Sequence, residues 1–243
     1  YGSSALAGWR VHGISFGPSV TTWSVLRDGA PWAEFEFGLA GEYNVWNATA
    51  ASVMAAGTGI SAENISQALK SFKSVKRRLE IKAQVNGITV IDDFAHHPTA
   101  IKGTLQALRA RYPKARLWAI LEPRSNTLRR NIFQDSLADS LSVADEVVIA
   151  NVFKSDAISD SERLDTGKVV HQLNQQGRRA RIFADADQIV SSVAPELLPG
   201  DVIAILSNGG FGGIYEKLPE RLKVLLETQQ TAGSSPRKST ARA

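Results

Sequence analysis

From Leu79 onward, short apolar runs alternate with stretches in which apolar residues recur every three or four positions. The runs Ile81 to Val85, Thr89 to Asp92, Leu117 to Leu121, Glu146 to Ala150, Arg181 to Phe183 and Val202 to Leu206 read as strands. LWAIL and VIAIL contain no polar position at all, as expected of strands covered on both faces. The intervening stretches predict helices over Thr99 to Arg111, Arg163 to Gln175, Ala186 to Val193 and Gly213 to Thr228, and an interrupted one over Asn126 to Ser140. Strand and helix in alternation imply a mainly parallel sheet with right-handed crossovers, hence an α/β fold.

The first seventy residues follow another pattern. Trp9 to Phe16 alternates and stops at Gly17-Pro18, and Thr21 to Arg27 and Pro31 to Phe37 flank Asp28-Gly29, a hairpin signal. The period then changes to that of a helix over residues 42 to 57, with Asn44 as a cap and Gly57 as a stop. A second helix is expected over Ser61 to Phe72, with Ile65, Leu69 and Phe72 on its apolar face. The charged segment KSVKRRLE, residues 73 to 80, reads as a connection between domains. The division expected is 1–77 as the end of one α/β domain, 78–229 as a second, and 230–243 as a polar basic tail. Antiparallel strands with no helix before them look like the end of a domain.

Composition narrows the class. At 43% hydrophobic and 21% charged, the chain has enough apolar residues for a core. No apolar run approaches the ~18 residues of a membrane span. With no cysteine, thiolate metal sites, disulfides and a cysteine nucleophile are excluded, which fits a cytoplasmic protein. The net charge of +4 includes Arg237, Lys238 and Arg242 of the acid-free segment SSPRKSTARA. Without those three the body carries about +1, so a nucleic-acid partner is not expected.

Five constellations could carry chemistry. Asn44 and Asn47, three apart, would share a helix face, and their amides can both donate and accept, as an adenine edge requires. Lys76-Arg77-Arg78 offers guanidinium forks to phosphate, or is a solvated linker. IDDFAHHPT, residues 91 to 99, places two acids and two of the four histidines within six positions at a strand end. There Asp93 could accept from two ribose hydroxyls, His96 and His97 could meet phosphate, carboxylate or metal, and Pro98 suits a helix start. Adjacent histidines diverge, and no metal cluster with convincing spacing is completed, so no metal ligand is assigned. EPRSNT puts Glu122, Arg124, Ser125 and Asn126 after a buried strand, where open α/β sheets bind ligands. Arg124 could hold a carboxylate there, or Ser125 and Asn126 could simply cap a helix. SNGGFGG, residues 207 to 213, has four glycines that permit close backbone approach, though not in the register of a dinucleotide fingerprint. No GxxxxGK[ST] occurs anywhere.

Taken in order, these pieces resemble the later half of a Mur ligase, from about Gly41 to Glu227. GEYNVWNATAA resembles the family's G-x-H-N-x-x-N-x-x-A-A, with Tyr43 where histidine usually stands, KRRLE its linker, and IDDFAHHPT the start of its C-terminal domain. The resemblance implies that Asn44 and Asn47 contact adenine, Arg78 the ATP phosphates and Asp93 ribose. It makes His96 and His97 organisers of the domain interface. Arg124, Ser125, Asn126, Asn208 and Gly209 become candidates for the site of the incoming amine.

DD-aromatic-x-HHPT resembles members that act on UDP-N-acetylmuramate itself, adding either L-alanine or the recycled tripeptide L-Ala-γ-D-Glu-meso-diaminopimelate. EPRSNT and SNGGFGGIYEKL resemble the tripeptide-adding kind, since the alanine-adding kind usually shows P-H-R-Y-[ST]-R and G-A-G. The resemblance implies an ATP- and magnesium-dependent ligase proceeding through an acyl phosphate. Its P-loop and most magnesium ligands would lie in N-terminal domains of the same protein, so this chain, a Rossmann-like domain preceded by the end of a central ATPase domain, would not ligate alone. The competing classes are an L-alanine ligase and a stand-alone small-molecule binding module.

Overall fold

Alternation in the first forty residues resolves into a three-stranded antiparallel sheet, β1 (Trp9–Phe16), β2 (Thr21–Arg27) and β3 (Ala30–Phe37), in the order β1-β2-β3. The structure is a computed structural model that describes residues 1–4 and 7–233, with side chains as far as residue 228. The positively charged part of the expected tail therefore lies outside the described residues. Two helices cover this sheet, α1 (Glu42–Gly57) and α2 (Ala62–Ser71). Trp23, Val25, Phe35 and Phe37 on the sheet bury Val45, Ala48 and Ile65. Within that core the Trp23 indole donates to Thr49 Oγ1 at 3.0 Å and fixes α1 on the sheet.

The helix at 42 spans the residues the sequence pattern suggests but has a different cap. Asn44 does not cap it. The N-cap is Gly41, whose φ of 101° lies where glycine alone is unstrained, and Asn44 donates instead to Ala40 O at 2.7 Å. Ser61 does cap α2, accepting from Asn64 N.

The second sheet has six strands: β4 (Glu80–Val85), β5 (Ile88–Asp93), β6 (Leu117–Leu121), β7 (Glu146–Ala150), β8 (Arg179–Phe183) and β9 (Val202–Leu206). Their order is β4-β5-β9-β6-β7-β8, and β4 alone runs antiparallel, against β5. One face buries Ile91, Leu121, Ile149 and Leu206 beneath α3 (Pro98–Arg111), α4 (Gln134–Leu141) and α5 (Thr166–Gln175). The other buries Val90, Ile120, Val148 and Ile205 beneath α6 (Ala186–Val193) and α7 (Ile214–Gly233). Successive side chains of the same strand serve opposite layers, which is why the strand sequences read as unbroken apolar runs.

Two helix boundaries differ from expectation. α5 begins at Thr166 rather than Arg163, because Asp165 caps it by accepting from Lys168 N and Leu164 N is bonded back to Arg129 O. α7 runs on to Gly233, so the first residues expected to belong to the tail are helical. The interrupted stretch after Asn126 is a turn, a short 3-10 segment at Asn131–Phe133 and then α4.

Candidate functional site

β5, β6, β7 and β9 all deliver their carboxyl ends to one edge of the sheet. The chain leaves β5 and β6 toward the α3/α4 layer, but leaves β9, which lies between them, toward α7 on the opposite face. Connections that diverge from neighbouring parallel strands open a crevice between them, the place where open α/β sheets bind ligands. The segments following β5, β9 and β6 are IDDFAHHPT, SNGGFGG and EPRSNT, so the topology brings three of the constellations to one edge.

The two aspartates that end β5 face opposite layers, as the strand period requires. Asp92 faces α7. Arg77 Nε donates to both of its oxygens at 3.0 and 3.2 Å, and Arg77 Nη2 continues to Ser207 O at 2.6 Å and Tyr215 Oη at 2.7 Å. The guanidinium sits 5.3 Å from the centroid of Phe94 and 5.2 Å from that of Tyr215. Burial opposes the Arg77 charge, but its bonds to Asp92 and Tyr215 outweigh that and hold its pKa above the ordinary value. Asp93 faces α3 and is 1% exposed. Its carboxylate accepts from Leu79 N at 2.8 Å, Ala95 N at 2.9 Å and Thr104 Oγ1 at 3.1 Å.

These bonds fix the segment leading into β4. Arg77 and Leu79 have φ of 61° and 48°, left-handed values that side chains tolerate only when their surroundings enforce them. Arg77 O accepts from Phe94 N, and Arg77 N donates to Glu80 Oε2 at 2.8 Å, which holds the Glu80 carboxyl below its usual range. Between the two clamped residues Arg78 is left on a cleft of about 1130 Å³ with no side-chain hydrogen bond among the described residues. Tyr43 and Trp46 of α1, His97 and Lys102 of α3, and Phe133 line this cleft. Glu42 and Asp139 line it too, and Lys102 Nζ pairs with Asp139 at 2.8 Å, so Arg78 is the cation it leaves for an anion among the described residues.

α1 meets α3 through Tyr43, which is half-buried. A Cβ on Gly41 would come within 2.8 Å of the Tyr43 ring, and one on Gly103 within 3.5 Å, so the two glycines leave a slot for it. The hydroxyl bonds with Thr104 and Asn44, and Thr104 in turn holds Asp93. Burial first, and then the charge of Asp93, push the Tyr43 pKa up to about 12 despite those hydrogen bonds and the nearby Arg78. Asn44 is half-buried and committed to Ala40, whereas Asn47 is exposed. Neither lines the cleft.

His96 and His97 diverge. His96 Nδ1 lies 2.8 Å from Phe94 O, and its ring sits edge-on to Phe94 at 5.2 Å. His97 is the N-cap of α3. Its Nδ1 accepts from Thr99 N at 3.2 Å, so that nitrogen carries no proton, and its ring packs on Phe133 at 4.6 Å. Pro98 opens the helix, as its sequence position suggests.

The third group lies between the ends of β6 and β9. Buried Glu122 accepts from Ser207 Oγ at 2.5 Å, and Ser207 Oγ accepts from Gly209 N at 2.9 Å. Arg124 Nη1 reaches Glu122 Oε1 at 3.4 Å. Its guanidinium carbon lies 3.9 Å from the centroid of Phe153, on the loop after β7. On its other side is Gly209, where an added Cβ would fall 2.1 Å from Arg124 Nε. Asn208 Oδ1 is buried and has no hydrogen-bond partner among the described residues. Ser125 and Asn126 turn away to local tasks. Ser125 Oγ accepts from Leu128 N, and Asn126 Oδ1 accepts from Arg129 Nη2.

The structure thus joins Arg124, Asn208 and Gly209 in one place and Arg78 with His97 in another, and it leaves Asn47 apart from both. Phe153 carries no role in the sequence reading of the site, while Arg77, Glu122 and Ser207 figure there only as members of KRR, EPRSNT and SNGGFGG, without the structural bonds they make here. Period-2 reasoning on the DD pair could have pointed to a cation on the α7 side. Nothing local in NVFKSD marks Phe153. Among the described residues no group of three or more His, Asp and Glu side chains could hold a metal ion.

Comparison with known proteins gives a consistent picture. The family described as Mur ligase, glutamate ligase domain, matches residues 77–209. The UDP-N-acetylmuramate--L-alanyl-gamma-D-glutamyl-meso-2,6-diaminoheptandioate ligase of Escherichia coli K12 is 39% identical over 86% of this chain and 44% of its own length. Among solved structures, a murein peptide ligase of Psychrobacter arcticus superposes with a TM-score of 0.60 at 34% identity, over 89% of this chain and 44% of that one. The UDP-N-acetylmuramate-alanine ligase of Thermotoga maritima superposes with a TM-score of 0.77 over 91% of this chain and 47% of that one, but at 21% identity it shares the fold alone. The chain spans less than half the length of these relatives.

Proposed function

This chain belongs to the Mur ligase family, and on that premise we propose that it is the amine-receiving part of an ATP-dependent ligase acting on UDP-N-acetylmuramate. The incoming amine is the tripeptide L-Ala-γ-D-Glu-meso-diaminopimelate, and the setting is cytoplasmic recycling of peptidoglycan. One observation carries the choice of tripeptide. The two segments that distinguish it, 122–127 and 207–213, meet in space with Arg124 lying on Gly209. A bound peptide would find there a cation able to grip a carboxylate and, in Asn208 Oδ1, an acceptor without a partner.

The reaction activates the muramoyl carboxylate as an acyl phosphate. The alanyl amine attacks the carbonyl carbon, an amide bond forms, and phosphate leaves. In such chemistry the protein mainly positions groups and neutralises charge. Arg78 meets the phosphates from the lip of the cleft. Asp93 fixes that lip through Leu79, and at 1% exposure a direct contact with ribose requires the lip to open. Asn44 and Asn47 would approach adenine from α1. His96 and His97 brace the turn into α3 rather than move protons. The described residues hold no group of three or more His, Asp and Glu that could by itself bind magnesium. Most of its ligands, like the P-loop, are expected in the rest of the protein, and domain closure would assemble the two halves.

The test is ADP release by the full-length ligase with each of ATP, UDP-N-acetylmuramate and tripeptide omitted in turn. Release that requires all three is expected, with none from the present chain alone. Release from this chain alone, or release indifferent to the peptide, overturns the reading.

A further inference from the structure

We infer that Phe153 is a positioning residue for the incoming peptide, acting through Arg124. The inference rests on the proposed grip of Arg124 on a peptide carboxylate. It adds a residue from a different loop that no sequence motif marks.

An arginine side chain has several rotatable bonds to immobilise before its fork is useful. Arg124 is about one-third exposed, at 32%, and among the described residues only its Nη1 makes a hydrogen bond, a long one of 3.4 Å to Glu122. That bond alone leaves the guanidinium free to swing. Its plane is fixed by two walls. One is the Phe153 ring, 3.9 Å from the guanidinium carbon, a distance at which cation and ring face attract. The other is the bare backbone of Gly209, where any side chain would overlap Arg124 Nε and Cδ at 2.1 and 2.2 Å.

Both walls are themselves anchored. Phe153 N donates to Pro123 O at 3.0 Å, tying the β7 loop to the residue before Arg124. Gly209 N donates to Ser207 Oγ, which is bonded to Glu122. The result is a three-sided slot of ring, backbone and carboxylate. It holds the guanidinium flat and leaves its remaining N–H donors for a ligand in the crevice. A planar fork held this way recognises a carboxylate through two parallel bonds, which a lysine at the same position cannot do.

The experiment measures tripeptide KM and kcat in the full-length ligase carrying Phe153→Leu, Phe153→Tyr, Gly209→Ala or Arg124→Ala. Losing the ring wall is expected to raise tripeptide KM about ten-fold with kcat and the KM for ATP little changed, the size of a partly exposed cation–π contact. Phe153→Tyr restores the wild-type value. Gly209 does not have a positive φ and the atoms it would strike are the movable end of a side chain. Gly209→Ala therefore displaces Arg124 without unfolding the loop, and gives the same KM effect should Phe153→Leu fail to fold. If Arg124→Ala raises tripeptide KM while Phe153→Leu and Gly209→Ala leave it unchanged, the slot is refuted and the carboxylate reading stands. If Arg124→Ala itself leaves tripeptide KM unchanged, both fall.

Discussion

Asp92 and Asp93 are neighbours in the chain, yet they grip the same incoming segment from opposite faces of the sheet. Asp92 takes the Arg77 side chain at 3.0 Å, and Asp93 takes the Leu79 amide at 2.8 Å. The pair thus works as a clamp on residues 77 to 79. If the proposed domain closure bends the connection 73–80, the clamp confines that bend to the residues before Arg77.

Removing one jaw of the clamp is costly. Arg77→Ala leaves the Asp92 carboxylate, 4% exposed, without its cation and is expected to destabilise the chain by about 3 kcal/mol. Asp93→Ala abandons the Leu79 and Ala95 amides and is expected to cost about 2 kcal/mol. Urea unfolding of each variant checks both values, and losses below half of these figures would contradict the clamp.

Arg78, next door, behaves in the opposite way. With no side-chain hydrogen bond to lose among the described residues, Arg78→Ala should shift unfolding by no more than about 0.5 kcal/mol. The full-length ligase carrying it should show an ATP KM raised about ten-fold, the worth of one charge-assisted bond. Equal effects of Arg77→Ala and Arg78→Ala on stability would remove the distinction between anchor and ligand.

Tyr43 and Tyr215 give a pH prediction. Both have pKa values raised from 10.0 to about 12, with burial the larger cause. Above pH 10 the unfolded chain ionises these tyrosines while the folded chain keeps them protonated, so stability falls as pH rises from 10 toward 12. By pH 11 each contributes a loss of up to about 1 kcal/mol. Tyr43→Phe should make the alkaline loss shallower, and adding Tyr215→Phe shallower still, as followed by unfolding at pH 8 and pH 11. Parallel curves for wild type and double variant would contradict it.

Much of this was legible in the sequence, because both-face burial writes itself as unbroken apolar runs. Every strand expected of the larger sheet is present, from Ile81 to Leu206, and the hairpin at Asp28-Gly29 joins β2 to β3. Capping was less legible. Asn44 has the chemistry of a cap, but Gly41 takes the position through a backbone angle that only the neighbouring Tyr43 slot explains. The site was legible where its residues cluster in motifs and illegible where topology supplies them. Phe153 reaches Arg124 only because β7 lies beside β6 in the sheet. Local sequence also could not show that Asp93 would be spent on protein partners, since those bonds depend on the fold of residues 77 to 79.

Selection of a peptide by the crevice between β6 and β9 is read from substrate choice. The full-length ligase, supplied with ATP and UDP-N-acetylmuramate, is assayed for ADP release with the tripeptide and, separately, with L-alanine. The account predicts turnover with the tripeptide and kcat/KM for L-alanine lower by at least about 100-fold, the cost of leaving a desolvated polar site unpaired. Turnover with L-alanine that equals or exceeds that with the tripeptide would contradict it.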